Sequence, residues 1–196
     1  MKKVSLVVLA LVATMSFAFT GGKVKTLKVD GAKSSFNWLA KKFSGEHNGT
    51  VGIQSGTLSV DGATLVGGEF VIDMKSIICA DITDKGYNEK LIGHLSGEDF
   101  FNVAAFPTAT LKITKVVPSA AGQVQITGNL NIKGITNAVT FPATFSADKS
   151  GAKATAKFDI DRTKWNIKFG SGLIGTAKDK VIYDDFNVNI SLVATK

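Results

Sequence analysis

Beyond Lys25 the chain holds one pattern almost to its end: apolar and polar residues alternate, the period of strands that bury one face and wet the other. The clearest stretch is Gln123 to Lys133, where Val124, Ile126, Gly128, Leu130 and Ile132 alternate with glutamines, asparagines, Thr127 and Lys133. A slip of one residue would invert it, so register is strongly specified. The same alternation gives Ala109, Leu111 and Ile113 one face, and Val139, Phe141, Ala143 and Phe145 another. It recurs in Ala152, Ala154, Ala156, Phe158 and Ile160, and in Phe186, Val188, Ile190 and Leu192. Upstream, Phe36 with Trp38, Val51 with Ile53, and Phe70, Ile72 and Met74 mark three further strands. Turn signals at Asp61-Gly62, Ser119 to Gly122 and Asp148 to Gly151 suit hairpins between neighbours.

About eight antiparallel strands with one apolar face each must close on themselves or form a sandwich. Closure removes the exposed edges that invite aggregation, so the pattern predicts a single all-β domain, an eight-stranded antiparallel barrel. One region breaks the rhythm. From Asp84 to Phe101 the residues Tyr87, Leu91 and Leu95 fall four apart, and Asp84 and then Ser96 suit N-caps. This predicts one or two short helices, ended before Pro107 and capping one mouth of the barrel over about 84–101, with Leu91, Leu95 and Phe100 turned to the cavity.

Residues 1–18 read as an export signal: Lys2 and Lys3 form a positive start, Val4 to Ala13 an apolar stretch, and Ser16-Phe17-Ala18 a small-x-small cleavage pattern. The apolar run is shorter than a membrane span of roughly 20 residues, and no later segment approaches that length. The expectation is a mature domain over 19–196, periplasmic or secreted, without stable membrane insertion. Cys79 is the single cysteine, so no intramolecular disulfide forms, and after Ile77 and Ile78 it reads as a small buried hydrophobe rather than a reactive thiol.

The formal charge is +7. Once Lys2 and Lys3 leave with the signal, 21 basic residues face 16 acidic ones, a modest net +5. The lysines form no basic block or aromatic platform, which argues against nucleic acid. His47 and His94 sit in no zinc spacing, no nucleophile elbow or phosphate loop is present, and no cofactor is implied. Glu98-Asp99 reads as an acidic first helical turn, and Asp184-Asp185 as a strand edge, rather than as catalytic pairs.

Asp161-Arg162-Thr163-Lys164-Trp165 is denser in chemistry. Arg162 at a strand end would present a guanidinium fork to an anionic head group at a barrel mouth; equally, Arg162 would pair with Asp161 while Trp165 plugs the barrel end. Ala152, Ala154, Ala156 and Gly128 leave interior space, whereas Phe36, Trp38 and Phe70 would fill it from across the barrel.

Several stretches together resemble the YceI-like family of exported lipocalin-like proteins, described as polyisoprenoid-binding. They are Lys33-Ser34-Ser35-Phe36-Asn37-Trp38, His47-Asn48-Gly49-Thr50, Lys90-Leu91-Ile92-Gly93-His94-Leu95, Asp99-Phe100-Phe101 with Phe106-Pro107-Thr108, Gly128 to Thr136, and Asp161-Arg162-Thr163. Family members commonly show Leu-Thr where this chain has Leu130-Asn131, but alternation turns Asn131 outward. The resemblance implies a lipocalin-like barrel with a helical cap and an apolar tunnel for an isoprenoid or other lipid-like small molecule. Phe36, Trp38, Phe70, Ile72, Met74, Leu111, Ile113, Phe158 and Ile160 are expected to line it, with Arg162, His47 or His94 at a polar head and Trp165 near the mouth. The expected role is binding for transport, storage or sequestration rather than catalysis. The alternative is a filled-barrel interaction module in an envelope stress or cell-surface assembly. Either leaves room for a homodimer.

Overall fold

The alternating stretches all become strands in the computed structural model, which describes residues 23–196; the leader expected at 1–18 lies outside the described residues. In chain order the strands are β1 (Lys25–Val29), β2 (Ser35–Lys42), β3 (Gly45–Asp61), β4 (Thr64–Cys79), β5 (Thr108–Ala120), β6 (Gln123–Ile132), β7 (Ile135–Ala147), β8 (Ala152–Asp161) and β9 (Ile182–Thr195). They form one sheet in the order β1-β3-β2-β9-β8-β7-β6-β5-β4, and a β3–β4 pairing closes it.

Nine segments occupy eight positions. Both β1 and β2 run antiparallel to β3, β1 against residues 57–60 and β2 against 45–50, and both also pair with β9. They are one barrel strand broken by a 3-10 turn at Gly31–Lys33, which the Asp30 carboxylate caps by accepting from the Ala32 N–H. The result is the closed eight-stranded antiparallel barrel that the alternation predicts. Register shifts between Thr50 and Gly52 and between Ile53 and Ser55 let the long β3–β4 pair coil around the closure.

Tight hairpins at 61–64, 120–123 and 147–152 gather at one end. The other end carries α1 (Lys85–Ser96) and the segment 162–181. The Asp84 side chain accepts from the Tyr87 N–H and fixes the start of α1. Ser96, in contrast, starts no second helix. The chain folds at Gly97, whose carbonyl accepts from the N–H groups of both Phe100 and Asn102, and this tight turn swings Phe100 and Val103 into the core. Glu98 and Asp99 therefore follow the helix C-terminus instead of occupying a first turn. The segment 162–181 holds three single 3-10 turns, Arg162–Trp165, Gly172–Ile174 and Lys178–Lys180.

The core has two parts along the barrel axis. Leu27, Leu58, Leu65, Phe141 and Leu192 belong to the hairpin half, and Trp38, Met74, Phe100, Trp165 and Val188 to the capped half.

Candidate functional site

Period two sends every second side chain inward, so each strand contributes a file of apolar groups to one axis. Two apolar cavities lie along it. The hairpin-half cavity, about 80 Å³, is lined among others by Phe70, Leu111, Ile113, Ala154, Ala156 and Phe158. The capped-half cavity, about 120 Å³, is lined among others by Trp38, Met74, Leu95, Phe100, Phe186 and Arg162. Phe36, Ile72, Leu130 and Ile160 line both, so these four residues mark the waist between the two. Each exceeds the roughly 10–15 Å³ that admits one water, but walls this apolar offer water few partners.

The bore is narrow because it is partly filled. Phe141 and Phe158, on the neighbouring strands β7 and β8, stack side by side within it with centroids 4.1 Å apart and planes 6° from parallel. Gly128 does not widen it. A Cβ there would lie 2.9 Å from both Leu111 Cδ1 and the Lys112 carbonyl oxygen, so the missing side chain lets β5 approach closely instead of opening the lumen. Ala154 and Ala156 do line the space, as the reading of that strand requires.

One buried side-chain polar atom has no hydrogen-bond partner among the described residues: Nε1 of Trp38, whose side chain lines the capped-half cavity. A buried donor left unpaired costs about 1–3 kcal/mol. Arg162 is placed differently from a free fork. It is buried, and donates from Nη1 to the Ile167 carbonyl at 2.8 Å, from Nη2 to Ile182 at 2.9 Å and from Nε to Tyr183 at 3.2 Å, with Asp184 at 3.4 Å. Burial pulls its pKa down, and the charges of Asp184 and Asp161 oppose that. Asp161 is not its hydrogen-bonding partner: this carboxylate accepts from the N–H and hydroxyl of Thr163. Local chemistry explains why, since the 3-10 turn that begins at Arg162 needs an N-cap at Asp161.

Trp165 is 1% exposed, donates from Nε1 to the Leu130 carbonyl at 3.1 Å and lines neither cavity. Leu91 packs against the capped-half core without reaching the lumen. His94 sits over the cap, 3.2 Å from Asp99 and edge-on to Phe100 and Phe169 at 4.8 and 4.7 Å. His47 stands at the rim, its Nδ1 2.8 Å from Asp81. Burial would raise the pKa of Asp81, but bonds from the Asn48 N–H, His47 and Cys79 outweigh it and hold the group at about 2. Of the lining residues that the sequence reading missed, some, such as Leu58, Leu65 and Ile77, lie on strands, whereas Ile167, Ile182 and Tyr183 come from the segment around 162–183, where no period marks an inward face.

Comparison with known proteins places this geometry. The YceI-like domain matches residues 27–194. A UPF0312 protein of Vibrio cholerae is 26% identical over 172 residues, covering 82% of this chain and 87% of its own. A UPF0312 protein of Vibrio parahaemolyticus is 33% identical over 86 residues, covering 40% and 45%. Among solved structures, BcnA of Burkholderia cenocepacia superposes with a TM-score of 0.67 at 26% identity, covering 85% of this chain and 99% of its own. A YceI protein of Campylobacter jejuni superposes with a TM-score of 0.56 at 20% identity, covering 100% and 99%, and shares the fold.

Proposed function

The chain belongs to the YceI-like family, and from that premise we propose that it is an exported binding protein which holds a long apolar or amphiphilic molecule, of isoprenoid or lipid-like type, inside its barrel. The observation that carries this reading is the two-part apolar lumen, whose halves share Phe36, Ile72, Leu130 and Ile160 as lining. A slender hydrocarbon suits so narrow a bore better than a bulky fused ring. Burying it contributes about 25 cal/mol per Å² before association costs. The unpartnered Trp38 Nε1 in the capped half gives the guest direction, its polar end toward the cap and its tail toward the hairpins. Arg162, His47 and His94 stay candidates for the head, but the donors of Arg162 already serve backbone carbonyls, which leaves the indole the better placed group.

Binding of this kind needs no bond making, and the proposed role is transport, storage or sequestration in the periplasm or outside the cell. Among the described residues no helix is long and apolar enough to cross a membrane. Native mass spectrometry with solvent extraction of purified protein tests the reading. A co-purifying or added isoprenoid should raise the mass by one ligand and alter tryptophan emission. The Trp38→Phe variant should lose most of that emission change and bind about five- to tenfold more weakly, the worth of one hydrogen bond of about 1 kcal/mol. A protein that stays empty with every isoprenoid, its emission unchanged, overturns it.

A second reading has one observation in its favour. Leu173 and Ile174 stand 74% and 58% exposed beside Phe169 at 43%, an apolar tip on the segment that covers the capped mouth. An interaction module would use such a tip to meet a partner. Replacing Leu173 and Ile174 by serine separates the two readings: a carrier keeps its cargo, while an interaction module loses its assembly.

A further inference from the structure

A second constellation sits on the rim of the capped mouth, apart from the lumen, and the closure pairing of β3 with β4 assembles it. Gly49 lies opposite Cys79. His47 comes two residues further along β3 on the same face, and Asp81 two residues beyond the end of β4, where the Ala80 N–H still donates to the Asn48 carbonyl. The imidazole, the thiol and the carboxylate therefore converge, although His47 is more than thirty positions from the other two. One donor atom from each, His47 nitrogen, Cys79 Sγ and Asp81 oxygen, lies within 4.8 Å of the others. His47 Nδ1 is 2.8 Å from Asp81 Oδ2, and Cys79 Sγ is 3.2 Å from Asp81 Oδ1.

The frame around these groups is built from backbone. A Cβ at Gly49 would come within 1.8 Å of the Ile78 carbonyl oxygen, so only glycine lets the two strands approach this closely. The Asn48 N–H donates to Asp81 Oδ1 at 2.8 Å and sets the carboxylate plane. From α1, the Asn88 side-chain amide donates to the carbonyls of Cys79 and Ile82 at 3.0 and 2.8 Å, which pins residues 79–82 to the cap. The thiol is buried, while His47 and Asp81 side chains are each 27% exposed. An approaching ion meets nitrogen and oxygen first and sulfur beneath.

We propose that His47, Cys79 and Asp81 form a binding site for a borderline-soft divalent cation, best suited to zinc. The chemistry follows from the donor types. Imidazole, thiolate and carboxylate are the zinc ligands, with bonds of about 2.0–2.3 Å, and three protein donors leave a fourth position open to water. In a tetrahedral site with such bonds neighbouring donors stand roughly 3.3–3.7 Å apart, so the observed spacings, none beyond 4.8 Å, change by at most about 1.5 Å on binding. On binding, the Cys79 S–H bond breaks and its proton goes to solvent. The His47 and Cys79 contacts to Asp81 are replaced by bonds to the metal while the Asn48 N–H bond stays, and no electron changes hands. Calcium and magnesium, which prefer all-oxygen shells, do not suit the set.

Cobalt(II) provides the test, because a thiolate bound to it gives a charge-transfer band in the near ultraviolet and this chain has a single cysteine. The reduced mature protein titrated with cobalt(II) should develop the band with one equivalent, and zinc(II) should then abolish it. Cys79→Ser should show no band. His47→Gln and Asp81→Asn should bind zinc more than tenfold more weakly, at or beyond the roughly 10–100-fold that loss of a supporting group costs a metal site. Circular dichroism reports whether each variant is folded, and His47→Gln, on the exposed side, keeps the test open if Cys79→Ser does not fold. A folded wild-type protein without the band, or zinc affinity unchanged in His47→Gln, overturns the site. Loading with an isoprenoid is read separately by mass, so failure here leaves the carrier reading standing and the reverse also holds.

Discussion

At the scale of single residues, positions where the backbone has no room make the sharpest predictions. Gly49 is one. With the Ile78 carbonyl oxygen 1.8 Å and Trp38 Cζ2 2.8 Å from where a Cβ would sit, Gly49→Ala must push β3 from β4 at the barrel closure. The expected loss is about 3 kcal/mol, at the upper end of what overpacking usually costs, measured by urea unfolding. Asp148 makes a milder prediction. Hydrogen bonds from the Ser150 hydroxyl, then from the Ser150 and Gly151 N–H groups, favour its charged form and lower its pKa below 3.8. A carboxylate with a depressed folded pKa stabilises the protein above its unfolded value, and that contribution is lost as pH falls below 3.8 through the folded pKa. Asp148→Asn should therefore lower stability near neutrality, where the charged form contributes, and flatten the acid limb of the stability curve in that window. An unaltered acid limb counts against the turn as its source.

At the scale of elements, the cap over the mouth depends on one side chain. Arg162 holds the segment 166–183 by donating to the carbonyls of Ile167, Ile182 and Tyr183. Arg162→Ala would leave those acceptors and the Asp184 carboxylate without their cation, and should destabilise the protein by roughly 3–5 kcal/mol. Trypsin should then cut sooner at Lys168, Lys178 and Lys180. Arg162→Lys should recover only part, since an ammonium cannot span three carbonyls as the planar fork does. Equal cleavage rates in Arg162→Ala and wild type would mean that the segment is held by its apolar contacts instead. This element also marks the boundary of what the sequence made readable. The strands were readable because period two is a local property, and α1 because Asp84 and the four-residue spacing are local too. Segment 162–181 has no period, and its position is set by bonds from Arg162 to residues some twenty positions away. The break between β1 and β2 was hidden as well, since both halves alternate correctly and only the 3-10 turn at Gly31–Lys33 divides them. The same reasoning explains the site: inward-facing lining residues could be named from alternation, whereas the juxtaposition of His47, Cys79 and Asp81 depends on a register shared by two distant strands.

At the scale of the whole molecule, the question is whether the lumen holds a guest or is only imperfect packing. Cavities of about 80 and 120 Å³ are small for a lipid, but they lie on either side of the same four lining side chains, and rotation of those side chains can open one into the other without domain motion. Unfilled space in a core is destabilising, so a barrel without a guest gains by filling it, while a carrier loses its function. Ala156→Phe distinguishes these cases. Ala156 lines the hairpin-half cavity opposite Ala143, and β8 and β7 hold both small residues in register. A benzyl group there occupies the space a hydrocarbon tail would take. If the lumen is the binding site, this variant should stay folded, with stability within about 1–3 kcal/mol of wild type, and should lose isoprenoid loading by at least tenfold in native mass spectrometry. Trp38 emission should no longer respond to added ligand, although the indole lies in the other half of the barrel, because a tail that cannot descend past the waist at Phe36 and Ile160 cannot bring its head to the cap. If Ala156→Phe loads as wild type does, the guest lies elsewhere and the lumen is a packing defect of an interaction module.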